Sequence, residues 1–165
     1  MAARQGVLPL LPFDLDGVVA ELRRTTFPGI EGDVACRFSA EIEVVAQITT
    51  EPWPGCRGDI EVNTALNVPG TPIEVIRAIV KHELLHLVAP PELVRRWGRW
   101  YREIHPQAFL MRQFETAPEF QTACEWLKRN FGRQLKTDRD GSLVIHGRRV
   151  RKGGRRRVAK APDPD

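Results

Sequence analysis

The sequence predicts an α+β fold, with a single domain over residues 1–150 and a disordered basic tail over residues 151–165. Segments in which apolar and polar residues alternate lie in the first part of the chain, and such alternation is typical of half-buried strands. Segments with apolar residues at helical spacing follow them. The final segment is charged and poor in apolar residues, so it cannot bury enough surface to fold.

The first helix and the strands are predicted from short patterns. Residues 14–26 are predicted to form a short helix, with Asp14 or Asp16 as its N-cap. Residues 41–50 and 59–63 show the alternation of strands, and we expect these short strands to be antiparallel. Prolines and glycines in the intervening segments predict loops.

The clearest helix signal is Thr71-Pro72-Ile73-Glu74, in which a hydroxyl, a proline and a glutamate form a predicted capping box. Apolar residues then recur at helical spacing as far as Leu87. Pro90-Pro91 ends the helix, because proline cannot donate the backbone N–H that continuation needs. Downstream, the sequence predicts three further helices, over residues 91–104, 106–115 and 118–131. Residues 134–150 are predicted to form a hairpin that turns at Asp138-Arg139-Asp140-Gly141.

Composition restricts the class of protein. A chain of 165 residues can bury a core without disulfides. Cys36, Cys56 and Cys124 are odd in number and widely spaced, which predicts reduced thiols and neither a disulfide framework nor a zinc ribbon. The apolar runs are too short for a membrane span, and the first residues lack the unbroken apolar stretch of a secretory signal. We therefore expect a cytoplasmic protein.

The positive charge of the chain is concentrated near its C-terminus. Residues 148–160 hold eight basic side chains and no acidic ones, whereas residues 1–147 hold 17 Lys+Arg and 19 Asp+Glu. The basic segment could contact nucleic-acid phosphates in a salt-sensitive, sequence-independent way. It lacks interleaved aromatic residues for base stacking, and a merely solubilising tail is the alternative.

The motif that carries chemistry is His82-Glu83-Leu84-Leu85-His86 on the long predicted helix. His82 and His86 are four residues apart, so both imidazoles lie on one helix face and can reach one metal ion. This spacing is typical of zincin peptidases, in which two histidines bind zinc and the glutamate is the general base toward a zinc-acidified water. The sequence thus predicts a zinc-dependent peptidase acting on a peptide or protein substrate, with Glu83 as its catalytic residue.

A catalytic zinc needs a third protein ligand. The metzincin continuation would place a histidine at position 92, but that residue is Glu92. His105 is the only histidine between the motif and the C-terminal hairpin, which makes it one candidate. A carboxylate from a later helix is the other possibility, and the candidates are Glu115, Glu119 and Glu125.

Three segments together resemble the SprT-like and YgjP-like metallopeptidases, which are related to the gluzincins. The segments are residues 59–63, residues 75–86 and His105-Pro106-Gln107-Ala108-Phe109. The resemblance covers roughly residues 40–130. It implies a strand before the active-site helix, a third histidine ahead of a short helix with a buried aromatic residue, and His82, His86 and His105 as the zinc ligands with Glu83 as the base.

Two further roles are open at this stage. Residues 59–63 could bind a substrate peptide by strand addition, or could be an ordinary paired strand. Tyr101 could stabilise a developing oxyanion, or could pack against neighbouring helices near Trp97 and Trp100.

Two other functions compete with the peptidase. A binding module could keep the zinc as structure and contact nucleic acid through residues 148–160. Alternatively, Asp14 and Asp16 lie in a D-x-D-G sequence like that of haloacid dehalogenase-type phosphatases. The prolines before Asp14 argue against the central strand that this phosphatase chemistry needs.

Overall fold

A three-stranded sheet supports the site in this computed structural model, which describes residues 13–139 and 141–146. Its strands are β1 (Asp33–Ser39), β2 (Ala46–Trp53) and β3 (Cys56–Asn63), in the order β1-β3-β2. β3 is antiparallel to β2, as predicted, but it is parallel to β1. The α+β class is confirmed, whereas the expectation of purely antiparallel strands is wrong.

The strand boundaries differ from the predicted ones. β1 was not predicted, although Val34, Cys36 and Phe38 alternate along it. The predicted strand over residues 41–50 begins only at Ala46 and continues to Trp53. Pro52 is tolerated there because β2 is an edge strand, where a missing N–H costs no ladder bond.

The first helix, α1 (Leu15–Thr25), begins where the sequence predicts. The Asp14 carboxylate accepts a hydrogen bond from the Gly17 backbone N–H at 2.9 Å, which is the predicted N-cap. Leu15, Val18 and Leu22 are buried on its inner face. Asp14 is exposed and serves the helix end, so the interpretation as a cap is favoured over a phosphatase nucleophile.

The central helix, α2 (Ile73–Val88), packs on the sheet and carries the histidine motif. Its inner face is fully buried at Ile76, Val80 and Leu84. Gly58 on β3 permits this close packing, because a Cβ there would lie 3.0 Å from Ile48 Cδ1 and 3.4 Å from Leu87 Cδ2.

The predicted capping box of α2 is wrong. The N-cap residue is Pro72, whose carbonyl accepts from the Val75 N–H at 3.1 Å. Thr71 ends the preceding turn by donating its N–H to the Val68 carbonyl, and its buried Oγ1 has no hydrogen-bond partner among the described residues. The Thr71 hydroxyl is therefore not the cap of this helix.

The segment predicted as a helix over residues 91–104 is a hairpin of β4 (Glu92–Arg96) and β5 (Arg99–Glu103). Its two turn residues, Trp97 and Gly98, both have positive φ, at 48° and 80°. A two-residue hairpin turn of this kind is formed most readily by Asn-Gly. Tryptophan in the left-handed region costs roughly 1–2 kcal/mol.

Two helices and a second hairpin complete the described part of the chain. α3 (Gln107–Thr116) and α4 (Phe120–Phe131) match the predicted helices closely. β6 (Leu135–Thr137) and β7 (Leu143–Ile145) form the predicted hairpin. Residues 147–150, the predicted disordered tail and the basic segment 148–160 lie outside the described residues, so the tail and its nucleic-acid contact stay predictions.

Two predictions from composition can be compared with the structure. Cys36, Cys56 and Cys124 are free thiols, as predicted. Within the described residues, no helix has the length and apolar character needed to cross a membrane.

Candidate metal centre

Three histidines meet at one point beside α2. His82 and His86 lie one turn apart on that helix, and His105 comes from the segment between β5 and α3. One ring nitrogen from each lies within 4.8 Å of the other two, and His82 Nε2 is 3.2 Å from His105 Nε2. The predicted grouping of these three residues is confirmed, and together they could hold a metal ion.

The three glutamates considered as alternative ligands are absent from this group. Among the described residues, the only group of three or more side chains close enough to share a metal ion consists of the three histidines. Glu119 instead forms an ion pair with Lys81. Glu115 and Glu125 are exposed on α3 and α4.

The orientation of His82 is fixed by two contacts. Its Nδ1 lies 2.6 Å from Gln113 Oε1, and an amide oxygen can only accept a hydrogen bond, so Nδ1 carries the proton. Nε2 is then left with the lone pair that a metal requires. The Phe120 ring stacks on the imidazole, with centroids 4.4 Å apart and planes within 12°.

Phe109 holds the other two imidazoles in place. Its ring is fully buried and stacks on His86 at a centroid distance of 4.4 Å. The same ring lies 4.9 Å from the His105 ring. The predicted pattern of a histidine followed four residues later by a buried aromatic residue is therefore present, and it ties the start of α3 to the motif on α2.

Burial keeps His82 and His86 neutral. Desolvation lowers the pKa of His82 to about 3, with smaller contributions from the charges of His86 and His105. Desolvation likewise lowers the pKa of His86 to about 4, with further lowering by the charges of His105 and Arg102. At neutral pH both imidazoles are uncharged, which is the form that binds metals.

Glu83 lies in the same cavity and is 6% exposed. Burial raises the pKa of its carboxyl to about 8, because a low-dielectric environment disfavours the charged form. A cation held by the neighbouring histidines would favour the carboxylate instead. Glu83 is therefore a buried acid–base group beside the histidine cluster.

The cavity around these residues has a volume of about 950 Å³ and is lined by several elements. Tyr101 is 43% exposed and lines it, and its segment is the strand β5 and not the predicted helix. Gly141, at the turn of the C-terminal hairpin, also lines it, and a Cβ there would lie 3.6 Å from His105 Nδ1. The second hairpin thus reaches the site.

The idea that residues 59–63 add a substrate strand is wrong. β3 is the central strand of its sheet and is hydrogen-bonded to β1 on one side and β2 on the other. No backbone edge of β3 is left for a peptide. β2 is an edge strand, and its residues Ala46, Gln47, Ile48 and Thr50 line the cavity.

Gln113 and Phe120 were not predicted as site residues. Phe109 and Gln113 are four residues apart and so share one face of α3. That spacing was a usable signal for Gln113. Phe120 offered none, because its place opposite His82 depends on how α4 packs against α2.

We expect Gln113→Ala to weaken metal binding by about 10–100-fold, because groups that orient a metal-binding histidine commonly have effects of this size. The amide fixes which His82 nitrogen carries the proton. Competition with a chelating dye measures the affinity. Gln121→Ala, at an exposed position of α4, is the control, and equal affinities for the two variants would contradict the assigned role of Gln113.

Comparison with known proteins returned no match to a family model, to a curated protein or to a solved structure.

Proposed function

We propose that this protein is a zinc-dependent peptidase of the SprT-like or YgjP-like type. The observation that carries the proposal is the meeting of His82, His86 and His105 in one cavity with the buried carboxyl of Glu83. A purely structural site has no use for an acid–base group beside it. A cavity lined by an edge strand also offers room for a polypeptide.

The three histidines fit zinc. A catalytic zinc takes three protein ligands and leaves one position open. At Zn–N distances near 2.05 Å, tetrahedral geometry separates two ligand nitrogens by about 3.3 Å. The 3.2 Å between His82 Nε2 and His105 Nε2 is close to this separation. A set of nitrogen ligands also favours zinc over the oxygen-seeking calcium and magnesium ions.

The proposed reaction is hydrolysis of a peptide bond. Zinc, when bound, supplies a Lewis acid that lowers the pKa of water to about 7. Glu83 accepts the proton of the attacking water and passes it to the leaving amine. The edge of β2 orients the substrate by backbone hydrogen bonds, and Tyr101 lies in the cavity where it could donate to the developing oxyanion.

Removal and return of the metal tests this function. We expect the purified protein to contain close to one zinc per chain and to cleave a denatured protein. Dialysis against a chelator should abolish cleavage, and one equivalent of zinc should restore it, because no side chain replaces the Lewis acid. Circular dichroism before and after dialysis checks that the chain stays folded. Cleavage that persists in the folded, zinc-free protein would contradict the proposal.

A further inference from the structure

Large exposed apolar side chains line part of the cavity of the candidate metal centre. Among the described residues, most of the large apolar side chains that are exposed lie between Leu93 and Phe114, on either side of His105 in the sequence. Three of them, Trp97, Tyr101 and Leu110, line the same cavity as the histidines. An apolar patch that continues into a cavity marks a binding surface more often than an isolated exposed residue does.

Trp97 is the most conspicuous of these side chains. It is 92% exposed, so it contributes almost nothing to the core. It also occupies a turn position with a φ of 48°, where asparagine or glycine would be preferred. A residue that is unfavourable for the turn and unused by the core indicates a role in binding, because functional sites are where such local conflicts are retained.

The charges around the cavity are mainly positive. Arg102, Lys128 and Arg139 line it, and none of them forms an ion pair with another described residue. The remaining arginine of the lining, Arg96, is paired with Glu103 at 3.0 Å. Three cations are therefore available to a ligand that carries carboxylates.

We propose that the cavity selects a polypeptide segment with a bulky apolar side chain flanked by acidic residues. Trp97 and Tyr101 on the β4–β5 hairpin, together with Leu110 on α3, contact the apolar side chain. Arg102 on the same hairpin, Lys128 on α4 and Arg139 contact the carboxylates. This inference rests on the proposed peptidase function, since it names the substrate of that site. Apolar contact supplies affinity here, and the charges supply selectivity.

The test measures binding without cleavage. Full-length Glu83→Gln protein loaded with zinc is titrated with three fluorescent decapeptides. The first has a central leucine flanked by glutamates, the second has the same leucine flanked by lysines, and the third has a central serine flanked by glutamates. We expect the first peptide to bind at least about tenfold more tightly than either of the others, because each loses one of the two contacts.

Two variants locate the contacts. Trp97→Asn should weaken binding of the first peptide about tenfold while leaving the melting temperature equal or higher, because asparagine suits the turn better. Arg102→Gln with Lys128→Gln should reduce its preference over the lysine peptide. The matched controls are Trp100→Asn, on the same hairpin but outside the cavity lining, and Arg129→Gln, next to Lys128 on α4.

Equal binding of the three peptides, or equal effects of the Trp97 and Trp100 variants, would overturn the inference. So would tight binding of a single-stranded oligonucleotide that depends on Trp97 when no peptide is preferred. Cleavage of all three peptides alike by the wild type would reject the selectivity and leave the peptidase intact. Selective binding of the first peptide without its cleavage by the zinc-loaded wild type would instead reject the peptidase function. If the peptides are neither bound nor cleaved, the peptidase function and the substrate inference are both rejected.

Discussion

Replacing His82 or His86 with alanine is expected to abolish zinc binding at ordinary metal concentrations. A zinc site with a total binding free energy of roughly 10–16 kcal/mol loses about 3–5 kcal/mol with one ligand, or a factor of about 10²–10⁴ in affinity. Both imidazoles are neutral and held by aromatic stacking, so no reorganisation compensates for the loss. The loss of zinc affinity is measured by the metal content after gel filtration and by a competition assay.

The third histidine provides the internal comparison for this prediction. His105→Ala should weaken binding to a similar degree, whereas Glu119→Gln and Glu115→Gln should leave affinity unchanged, because neither carboxylate belongs to the cluster. Glu119→Gln also breaks the ion pair with Lys81, so its melting temperature is recorded separately. A strong effect of either glutamate with a weak effect of His105 would move the third ligand to a carboxylate.

The second large effect is expected from Glu83→Gln, which should keep the zinc and the fold but lower the rate of peptide hydrolysis about 10²–10⁴-fold, the usual contribution of a general base. The amide has nearly the shape of the carboxyl group, so the buried packing around Glu83 should survive. What is lost is the ability to accept a proton from the attacking water. Initial rates on a denatured protein, with zinc measured in both proteins, give the comparison.

Glu74→Gln is the matched control, because Glu74 is an exposed glutamate in the first turn of the same helix. It should cleave at the wild-type rate. If Glu83→Gln and the control are equally active, Glu83 is not the base, or the activity belongs to a contaminant.

The pairing of His82 with His86 could be predicted because it depends on local structure, whereas the residues alone left His105 and the later glutamates as alternatives for the third ligand. Helical spacing puts His82 and His86 on one face, and Pro106 indicates that a helix starts directly after His105. The cavity walls could not be predicted in this way. The spacing of Phe109 and Gln113 was a usable signal for Gln113 alone. Which phenylalanine stacks on His82 is decided by the packing of α4 on α2, and sequence spacing carries no information about that packing.

The hairpin over residues 92–103 was misread for a related reason. Its residues alternate too irregularly for a strand signal, and the local turn preference of Trp97-Gly98 is weak because tryptophan disfavours positive φ. The missed strand β1 has a different cause. Its partner β3 lies more than twenty residues later, so the pairing that stabilises β1 is invisible in a short window of sequence.

The β1-β3-β2 order also sets a sequence of events for folding. β2 and β3 are joined by the short turn at Pro54-Gly55, so their pairing closes only a small loop. β1 must wait for β3, because its ladder runs along that strand alone. Of the three strands, β1 leaves the ribosome first, and its pairing requires β3. The region around Cys36 and Phe38 therefore stays unpaired until residue 63 has emerged.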